Sequence, residues 1–281
     1  MASDRTPETG GRRLVLTADD LGREPESARE IARLAADGAI TAATVIVVAP
    51  GWEAAAHAVA RAGIRPHLHA TLSSERGLPP WAPVTGGASL VDAHGRLPDD
   101  PAAVGERAEP GEVAAELAAQ LARLDDAGLP PRALDSHAGT LYGLSGRSFL
   151  TEALALCARR GLAFRLPRDA TLYFGGEPPA AIRAAHERAV AAADAAGVPI
   201  PASIATNRSP AAALGSYEAL RDAYLGILAA LPEGTSEVFL HPAPEGAVAG
   251  PDGITRVWEL RLLRDPVFRR AIDAEGIRLV P

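Results

Sequence analysis

The sequence predicts an α/β fold: a single-domain (β/α) barrel of the TIM type, regular or distorted, with seven or eight strands. Short apolar segments alternate with alanine-rich amphipathic segments along nearly the whole chain, a pattern typical of a parallel sheet covered by helices. The 281 residues suit one large domain. Seven or eight βα units in a domain of this size favour a barrel over an open sheet.

The predicted strands are short apolar or β-branched runs bounded by glycine, proline or polar residues. In chain order they cover residues 14–16, 44–48, 65–72, 133–135, 162–166, 202–205, 237–240 and 276–280. The run at 44–48 is β-branched, which is typical of a strand buried on both faces. The first strand is followed at once by polar residues, so it delivers two carboxylates at its C-terminal end.

The predicted helices place apolar residues three or four positions apart between these strands. They cover residues 24–37, 52–62, 112–127, 148–160, 178–196, 217–231 and 255–264. Gly38 and Gly63 follow the first two helices, where a glycine commonly ends a helix.

The alternation is interrupted once and is preceded by a polar N-terminus. Residues 1–11 are predicted to be a disordered leader, and residues 12–281 to be the single barrel domain. A stretch rich in proline, glycine and aspartate covers about 73–109. A loop of that length inside a domain is typical of a lid or a binding insertion.

Charge and composition exclude several classes of partner. The chain has 35 acidic and 28 basic residues and a formal charge of −7, which does not suit the phosphate backbone of nucleic acid. No apolar run approaches the roughly 18 residues that span a bilayer, and the N-terminus lacks the apolar stretch of a signal peptide. The single cysteine, Cys157, fits a reducing compartment. We therefore expect a soluble cytoplasmic protein that binds neither nucleic acid nor membranes.

Polar side chains gather where the predicted strands end, which is where barrel enzymes carry their active sites. These residues are Asp19 and Asp20 after the first strand, His67 and His69 in the third, Asp135 and His137 after the fourth, Arg165 on the fifth, and His241 after a late strand. One aspartate and two histidines from three strands supply three ligands to a divalent metal and leave positions open for water and substrate.

The ligand set that this pattern suggests contains Asp20, His137 and either His67 or His69. The last two lie on the same face of one strand, so periodicity does not choose between them. Two adjacent carboxylates suggest that one binds the metal while Asp19 acts as general base on the metal-bound water. The simpler alternative is that one of them only caps the helix that follows.

Several segments resemble motifs of the YdjC-type (ChbG-like) carbohydrate deacetylases, in chain order and over most of the sequence. Residues 16–22 (LTADDLG) resemble the family's A-D-D-F-G, residues 67–72 (HLHATL) its G-L-H-L-N-L-T, residues 134–137 (LDSH) its L-D-S-H, and residues 239–242 (FLHP) its x-x-H-P. Residues 38–44, 89–95 and 256–280 are similar to further family segments. After His137 the chain continues Ala138-Gly139, as in a subgroup with the motif D-S-H-x-G, and lacks the later histidines common in the family.

The resemblance implies a metal-dependent hydrolase that removes the acetyl group from an N-acetylated sugar or small glycoside, on a TIM-barrel-like fold. By position in the motifs, the metal ligands are Asp20, His69 and His137. Asp19 is then the catalytic base and His241 the candidate general acid.

The same resemblance suggests supporting roles for four more residues. Arg165 resembles a family arginine near the carboxylates, and Asp135 is a candidate to orient a ligand histidine. Glu75 and Trp81 are expected to shape the substrate pocket of the subgroup.

Zinc suits two imidazoles and one carboxylate, and magnesium is the alternative. A homodimer is expected only from the general frequency of dimers.

Two other functions fit parts of the same pattern. A sugar isomerase or epimerase on a similar metal-binding barrel would use the same types of ligand, and the fold does not choose between the reactions. A non-catalytic carbohydrate-binding relative would need no complete ligand set, and aromatic residues for sugar stacking make up only 4% of the chain. Release of acetate distinguishes a deacetylase from both.

Overall fold

Parallel strands form the centre of the structure, a computed structural model that describes residues 10–281. The strands are β1 (Arg12–Leu21), β2 (Ala42–Val45), β3 (His67–Ala70), β4 (Ala133–Ser136), β5 (Ala163–Phe164), β6 (Ile204–Ala205), β7 (Gly234–Leu240) and β8 (Arg278–Leu279). The predicted leader at residues 1–11 lies outside the described residues, apart from Gly10 and Gly11.

The sheet curls into a partial barrel. Its strand order is β5-β4-β3-β2-β1-β7-β6, and β8 pairs with the first half of β1. Beyond β5, Asp169 forms a single parallel bridge to Ser203, just before β6, so the two edges of the sheet approach each other. The (β/α) barrel predicted from the sequence is confirmed in this distorted form.

Helices cover the outside of the sheet. They are α1 (Pro25–Ala36), α2 (Trp52–Arg61), α3 (Pro101–Arg107), α4 (Pro110–Asp126), α5 (Leu150–Arg160), α6 (Thr171–Phe174), α7 (Ala180–Ala195), α8 (Ala211–Leu214), α9 (Tyr217–Ala230), α10 (Pro251–Leu263) and α11 (Pro266–Ala274), with a 3₁₀ segment at His137–Tyr142. Within residues 10–281, no helix combines the length and apolar character needed to cross a bilayer.

The structure differs from the sequence prediction in its shorter elements. The first strand runs from Arg12 to Leu21 rather than over 14–16, because buried partners satisfy its polar end. Helix α11 was not predicted, although it has a recognisable start: the side chain of Asp265 accepts from Val267 N, and Pro266 opens the first turn. Helix α3 likewise lies inside the segment predicted as a loop, where Asp100 caps its first turn.

The rest of the long insertion is anchored to helix α4. Glu116 is fully buried, and its carboxylate accepts hydrogen bonds from the backbone N–H groups of Val84 and Thr85 at 2.9 and 2.8 Å. One turn further along, Gln120 bonds both backbone groups of Thr71. These contacts hold the segment after β3 over the C-terminal end of the sheet, where the polar side chains gather.

Candidate metal centre and active site

Asp19 and Asp20 lie at the C-terminal end of β1, and both line the same cavity. Consecutive residues of a regular strand face opposite sides of the sheet. Here the register of β1 against β2 shifts between Ala18 and Leu21, and Asp20 adopts a left-handed conformation with φ of 67°. Such a bulge re-aims side chains, and aspartate is among the residues that tolerate positive φ. The irregularity brings both carboxylates to the cavity while they face different partners.

Asp20, His69 and His137 form a compact group of candidate metal ligands. Oδ1 of Asp20 lies 3.3 Å from Nε2 of His69 and 3.4 Å from Nδ1 of His137. This buried oxygen has no hydrogen-bond partner of acceptable geometry, which is costly unless something else contacts it. Atoms bound to one zinc ion at about 2.0–2.2 Å lie roughly 3.4 Å apart. The three side chains therefore fit three ligands of one metal ion.

The structure brings His69, and not His67, to this group. His67 is buried lower on the same strand, and burial lowers its pKa. A second set of clustered ligand atoms consists of Asp19, His69 and Asp135. The Arg165 guanidinium, however, lies 2.7 Å from Asp19 and 2.5 Å from Asp135. Arg165 bonds both carboxylate oxygens of Asp19, whereas Arg256 lies against only Oδ2 of Asp20 and leaves Oδ1 without a partner, so the set that contains Asp20 suits a metal better.

Arg165 joins the acidic residues at the bottom of the cavity. Its Nη1 and Nη2 bond the two carboxylate oxygens of Asp19 at 2.7 and 2.9 Å, and its Nε bonds Glu237 at 3.0 Å. Thr44 Oγ1 also donates to Asp19 at 2.8 Å. Burial raises the pKa of Asp19, but the charge of Arg165 and its hydrogen bonds outweigh that effect, and the pKa falls to about 2. Asp19 is therefore ionised throughout the neutral range.

Negative charge also dominates the surroundings of His69 and His137, the two candidate ligand histidines. Asp135 Oδ1 lies 2.8 Å from Nδ1 of His69. Burial lowers the pKa of His69, but the charge and hydrogen bond of Asp135, together with the nearby Asp20 carboxylate, raise it to about 10. The pKa of His137 is raised as well: burial lowers it, but the nearby carboxylates of Asp20 and Glu75, at 3.4 and 3.3 Å, outweigh that effect. The site therefore attracts positive charge, which either protons on the imidazoles or a metal ion can supply.

Two arginines that sequence reasoning missed complete this cluster. Arg256, on helix α10, lies 2.7 Å from Oδ2 of Asp20 and leaves Oδ1 facing the histidines. Arg23 lies 3.1 Å from Oε2 of Glu75, and Oε1 of Glu75 lies 3.3 Å from Nε2 of His137. Glu75 thus contacts a candidate ligand on the side away from Asp20.

His241 faces the other side of Asp19. Its Nε2 lies 3.9 Å from Oδ2 of Asp19, and its side chain is 32% exposed to the cavity. Glu259 accepts a 2.7 Å hydrogen bond from the backbone N–H of His241 and a 2.8 Å bond from the Tyr224 hydroxyl. The imidazole is therefore held at the cavity wall, beside the carboxylate but not bonded to it.

Trp81 is close to the site but differs in placement from Glu75. It is 3% exposed, and its ring packs against that of His137 with centroids 5.9 Å apart. Whereas Glu75 lines the cavity, Trp81 does not, and it packs against His137.

Gly139, in the 3₁₀ segment after His137, has a φ of 67°, and a Cβ there would lie 2.5 Å from Leu144 Cδ1. Leu144 is exposed and can move aside, so the positive φ is what favours glycine at this position of the D-S-H-x-G motif.

The cavity above these residues has a volume of about 1060 Å³. The charged cluster forms its floor at the strand ends, and helices α5, α6 and α7 contribute to its walls. This matches the expectation that the site of a barrel lies at the C-terminal ends of its strands. It has room for a ligand much larger than a metal ion and water.

Comparisons with known proteins agree with this architecture. The sequence matches the model of the YdjC-like protein family over residues 13–274. A search of curated proteins found no significant match.

Two solved structures share the fold of this chain. A protein of Enterococcus faecalis V583, whose suggested role is cellobiose-phosphate cleavage, superimposes with a TM-score of 0.75 and 22% identity, covering 96% of this chain and 97% of its own. An uncharacterized protein of Agrobacterium tumefaciens C58 has a TM-score of 0.55 and 13% identity, covering 98% of this chain and 89% of its own. At these identities the likeness establishes the fold alone.

Proposed function

This chain belongs to the YdjC-like family, and we propose that it is a metal-dependent carbohydrate deacetylase acting on N-acetylated sugars or small glycosides. One observation carries the proposal: a buried, unbonded carboxylate oxygen of Asp20 faces one nitrogen each of His69 and His137 at the floor of a large cavity. Open sites with a few protein ligands are typical of catalytic metals.

Charge balance supports a divalent cation at this position. Carboxylates outnumber guanidinium groups in the buried cluster, which contains Asp19, Asp20, Asp135, Glu75 and Glu237 against Arg23, Arg165 and Arg256. Buried charge that lacks a counterion is expensive. Zinc suits the two imidazoles and one carboxylate best, with magnesium as the alternative. When bound, such an ion would polarise the amide carbonyl and lower the pKa of water.

Asp19 is suited to accept the proton of the attacking water. The two hydrogen bonds from Arg165 fix its carboxylate in one orientation and keep it ionised. Its Oδ2 lies 3.9 Å from Nε2 of His241, so the proposed base and the proposed proton donor lie side by side at the floor of the cavity. A base with such a low pKa holds the proton of the water only transiently. His241 lies close by as the donor of the proton that the leaving nitrogen needs.

His241 is suited to protonate the leaving nitrogen. Its backbone is fixed by Glu259, while the ring reaches the cavity. In the proposed reaction the water oxygen bonds to the carbonyl carbon, the carbon–nitrogen bond breaks, and the amine leaves with a proton from Nε2 of His241. The products are acetate and the free amino sugar.

The test is acetate release from N-acetylglucosamine and its short oligomers, with Asp19→Asn and the exposed Asp194→Asn compared with the wild type. We expect zinc-loaded wild type to release acetate and Asp19→Asn to be slower by roughly 10²- to 10⁴-fold, with unchanged metal content. Asp194→Asn should match the wild type. Undiminished turnover in Asp19→Asn would refute its role as base, and an isomerised sugar without acetate would indicate the isomerase alternative.

A further inference from the structure

The cavity has two chemically different parts. Beyond the charged floor, its walls are mostly apolar, with Leu150 and Leu154 from α5, Tyr173 and Phe174 from α6, and Ile182 from α7. Its volume of about 1060 Å³ slightly exceeds the roughly 300–1,000 Å³ that accommodates drug-sized ligands. An N-acetylated monosaccharide with its amide at the charged floor therefore leaves the apolar part unfilled.

Helix α7 turns an apolar face towards this part of the cavity. Ile182, Ala185, Ala189 and Ala192 follow one another at intervals of three or four residues, and all of them line it. Residues at that spacing share one face of a helix. Ala193 is the one buried residue of α7, so the helix takes little part in the core, and its apolar face is available to a ligand.

The same region contains most of the exposed large apolar surface. Within residues 10–281, three large hydrophobic side chains are strongly exposed: Leu144 at 61%, Ile182 at 41% and Ile254 at 50%. Leu144 and Ile182 both line this cavity. Scattered exposed apolar residues are ordinary, but an apolar wall inside a cavity marks a binding surface for an apolar ligand.

Aromatic rings connect this wall to the proposed catalytic residues. The ring of Tyr173 stacks on Phe239 with centroids 6.5 Å apart, and Phe239 lies edge-on to His241 at 5.9 Å. The guanidinium of Arg165 lies over the ring of Phe239, 4.7 Å from its centroid. The wall is therefore continuous with the position of the reacting amide, as expected for the remainder of one substrate.

We propose that the substrate is an amphiphile, an N-acylated sugar that carries an alkyl chain, and that this chain lies between helices α5 and α7. The proposal rests on the proposed deacetylase function for the placement of the amide. The chain is attached either to the sugar as an aglycone or to the nitrogen as a long acyl group. Either attachment places an alkyl chain against the same apolar wall of the cavity.

Activity tests distinguish these two sources. The first pair of substrates is methyl and octyl β-N-acetylglucosaminide; the second is N-acetyl- and N-octanoylglucosamine, all below their critical micelle concentrations. Because each buried methylene contributes to binding, kcat/KM should be at least roughly tenfold higher for the long member of one pair. The pair that shows the preference identifies where the chain is attached. Equal or lower kcat/KM for both long members would refute the proposal.

A binding measurement separates this proposal from the deacetylase function. Calorimetry with octyl and methyl β-glucoside, which have no amide to hydrolyse, should show binding at least roughly tenfold tighter for the octyl compound. If octyl glucoside binds in this way but none of the N-acylated sugars is hydrolysed to acetate or octanoate, the proposed reaction fails while the apolar site stands. If short sugars are deacetylated and neither octyl nor methyl β-glucoside binds, the apolar site is refuted while the reaction stands.

A matched pair of variants locates the chain. Ile182→Asn places a polar group in the wall, and the ratio of octyl to methyl affinity should fall towards one. Ile254→Asn makes the same change at an exposed isoleucine that does not line the cavity, and that ratio should stay as in the wild type. Sedimentation tests whether the protein forms a dimer through α7. If Ile182→Asn dissociates such a dimer and no alkyl compound binds, a second copy of the chain covers the wall. That result would overturn the proposal.

Discussion

Arg165 holds Asp19 by two parallel hydrogen bonds inside the barrel, with Nη1 at 2.7 Å from Oδ2 and Nη2 at 2.9 Å from Oδ1. The same guanidinium pairs with Asp135 at 2.5 Å, and Asp135 contacts His69. One side chain at the end of β5 therefore positions the proposed base and the carboxylate that orients a proposed metal ligand. Such planar two-point contacts require arginine and not just a positive charge.

Replacing Arg165 by Met should destabilise the fold strongly. The change leaves Asp19, Asp135 and Glu237 buried without their shared cation, and breaking a buried ion pair costs about 3–5 kcal/mol in the free energy of unfolding. As a control, Arg168→Met removes a pair with Asp194 in which both side chains are half exposed, and it should change the free energy of unfolding far less, because water screens such pairs. Urea denaturation followed by circular dichroism measures both. Similar losses for the two variants would contradict the structural role assigned to Arg165.

The residues at strand ends could be predicted from the sequence because each lies directly beside its strand. The apolar run of β1 leads straight into Asp19 and Asp20 at its C-terminal end; Asp135 lies near the end of β4, and His137 directly follows that strand. The geometry of parallel sheets then brings such positions together at one edge. What the pattern did not provide was the choice between His67 and His69, which depended on the family resemblance; in the structure the side chain of His69 lies beside those of Asp20 and His137.

Other parts of the site have only weak signals in the sequence: Arg256 opens residues 256–280, which are similar to a family segment, but nothing local places it at the site. Arg256 lies on helix α10, 236 positions after Asp20, and an arginine in a surface helix ordinarily faces solvent. The bulge in β1 is equally unpredictable, since it depends on pairing with β2. Helix α11 is a different case: the Asp265-Pro266 start and the spacing of Phe268 and Ile272 could have predicted it.

Metal binding should depend on His137. We expect purified wild-type protein loaded with zinc and then desalted to retain about one equivalent per chain, and His137→Ala to lose most of it, because one of three protein ligands is gone. His94→Ala, at an exposed histidine of the long insertion, is the control and should retain the metal. Elemental mass spectrometry measures the stoichiometry. A His137→Ala protein that keeps its full equivalent would exclude this residue from the ligand set.

Cys157 should be unreactive while the protein is folded. The thiol is buried in α5, and burial raises its pKa from 9.0 to about 12. At pH 8 this lowers the thiolate fraction roughly a thousandfold relative to the ordinary thiol. Alkylation by iodoacetamide, followed by mass spectrometry, should therefore be far slower in buffer than in urea. Equal rates in the two solutions would show that the thiol is accessible in the native state.

The role of His241 can be tested through the leaving group. If its Nε2 protonates the departing amine, then His241→Ala should impair substrates with basic leaving groups most, by roughly 10²- to 10⁴-fold in kcat. An acetyl ester of 4-nitrophenol has a leaving group that is stable as an anion, so its hydrolysis should fall much less. His186→Ala, at another cavity-lining histidine that bonds the Pro167 carbonyl, should not produce this difference between substrates. Equal losses on amide and ester in His241→Ala would indicate a role in positioning rather than in proton donation, because only an acid senses the basicity of the leaving group.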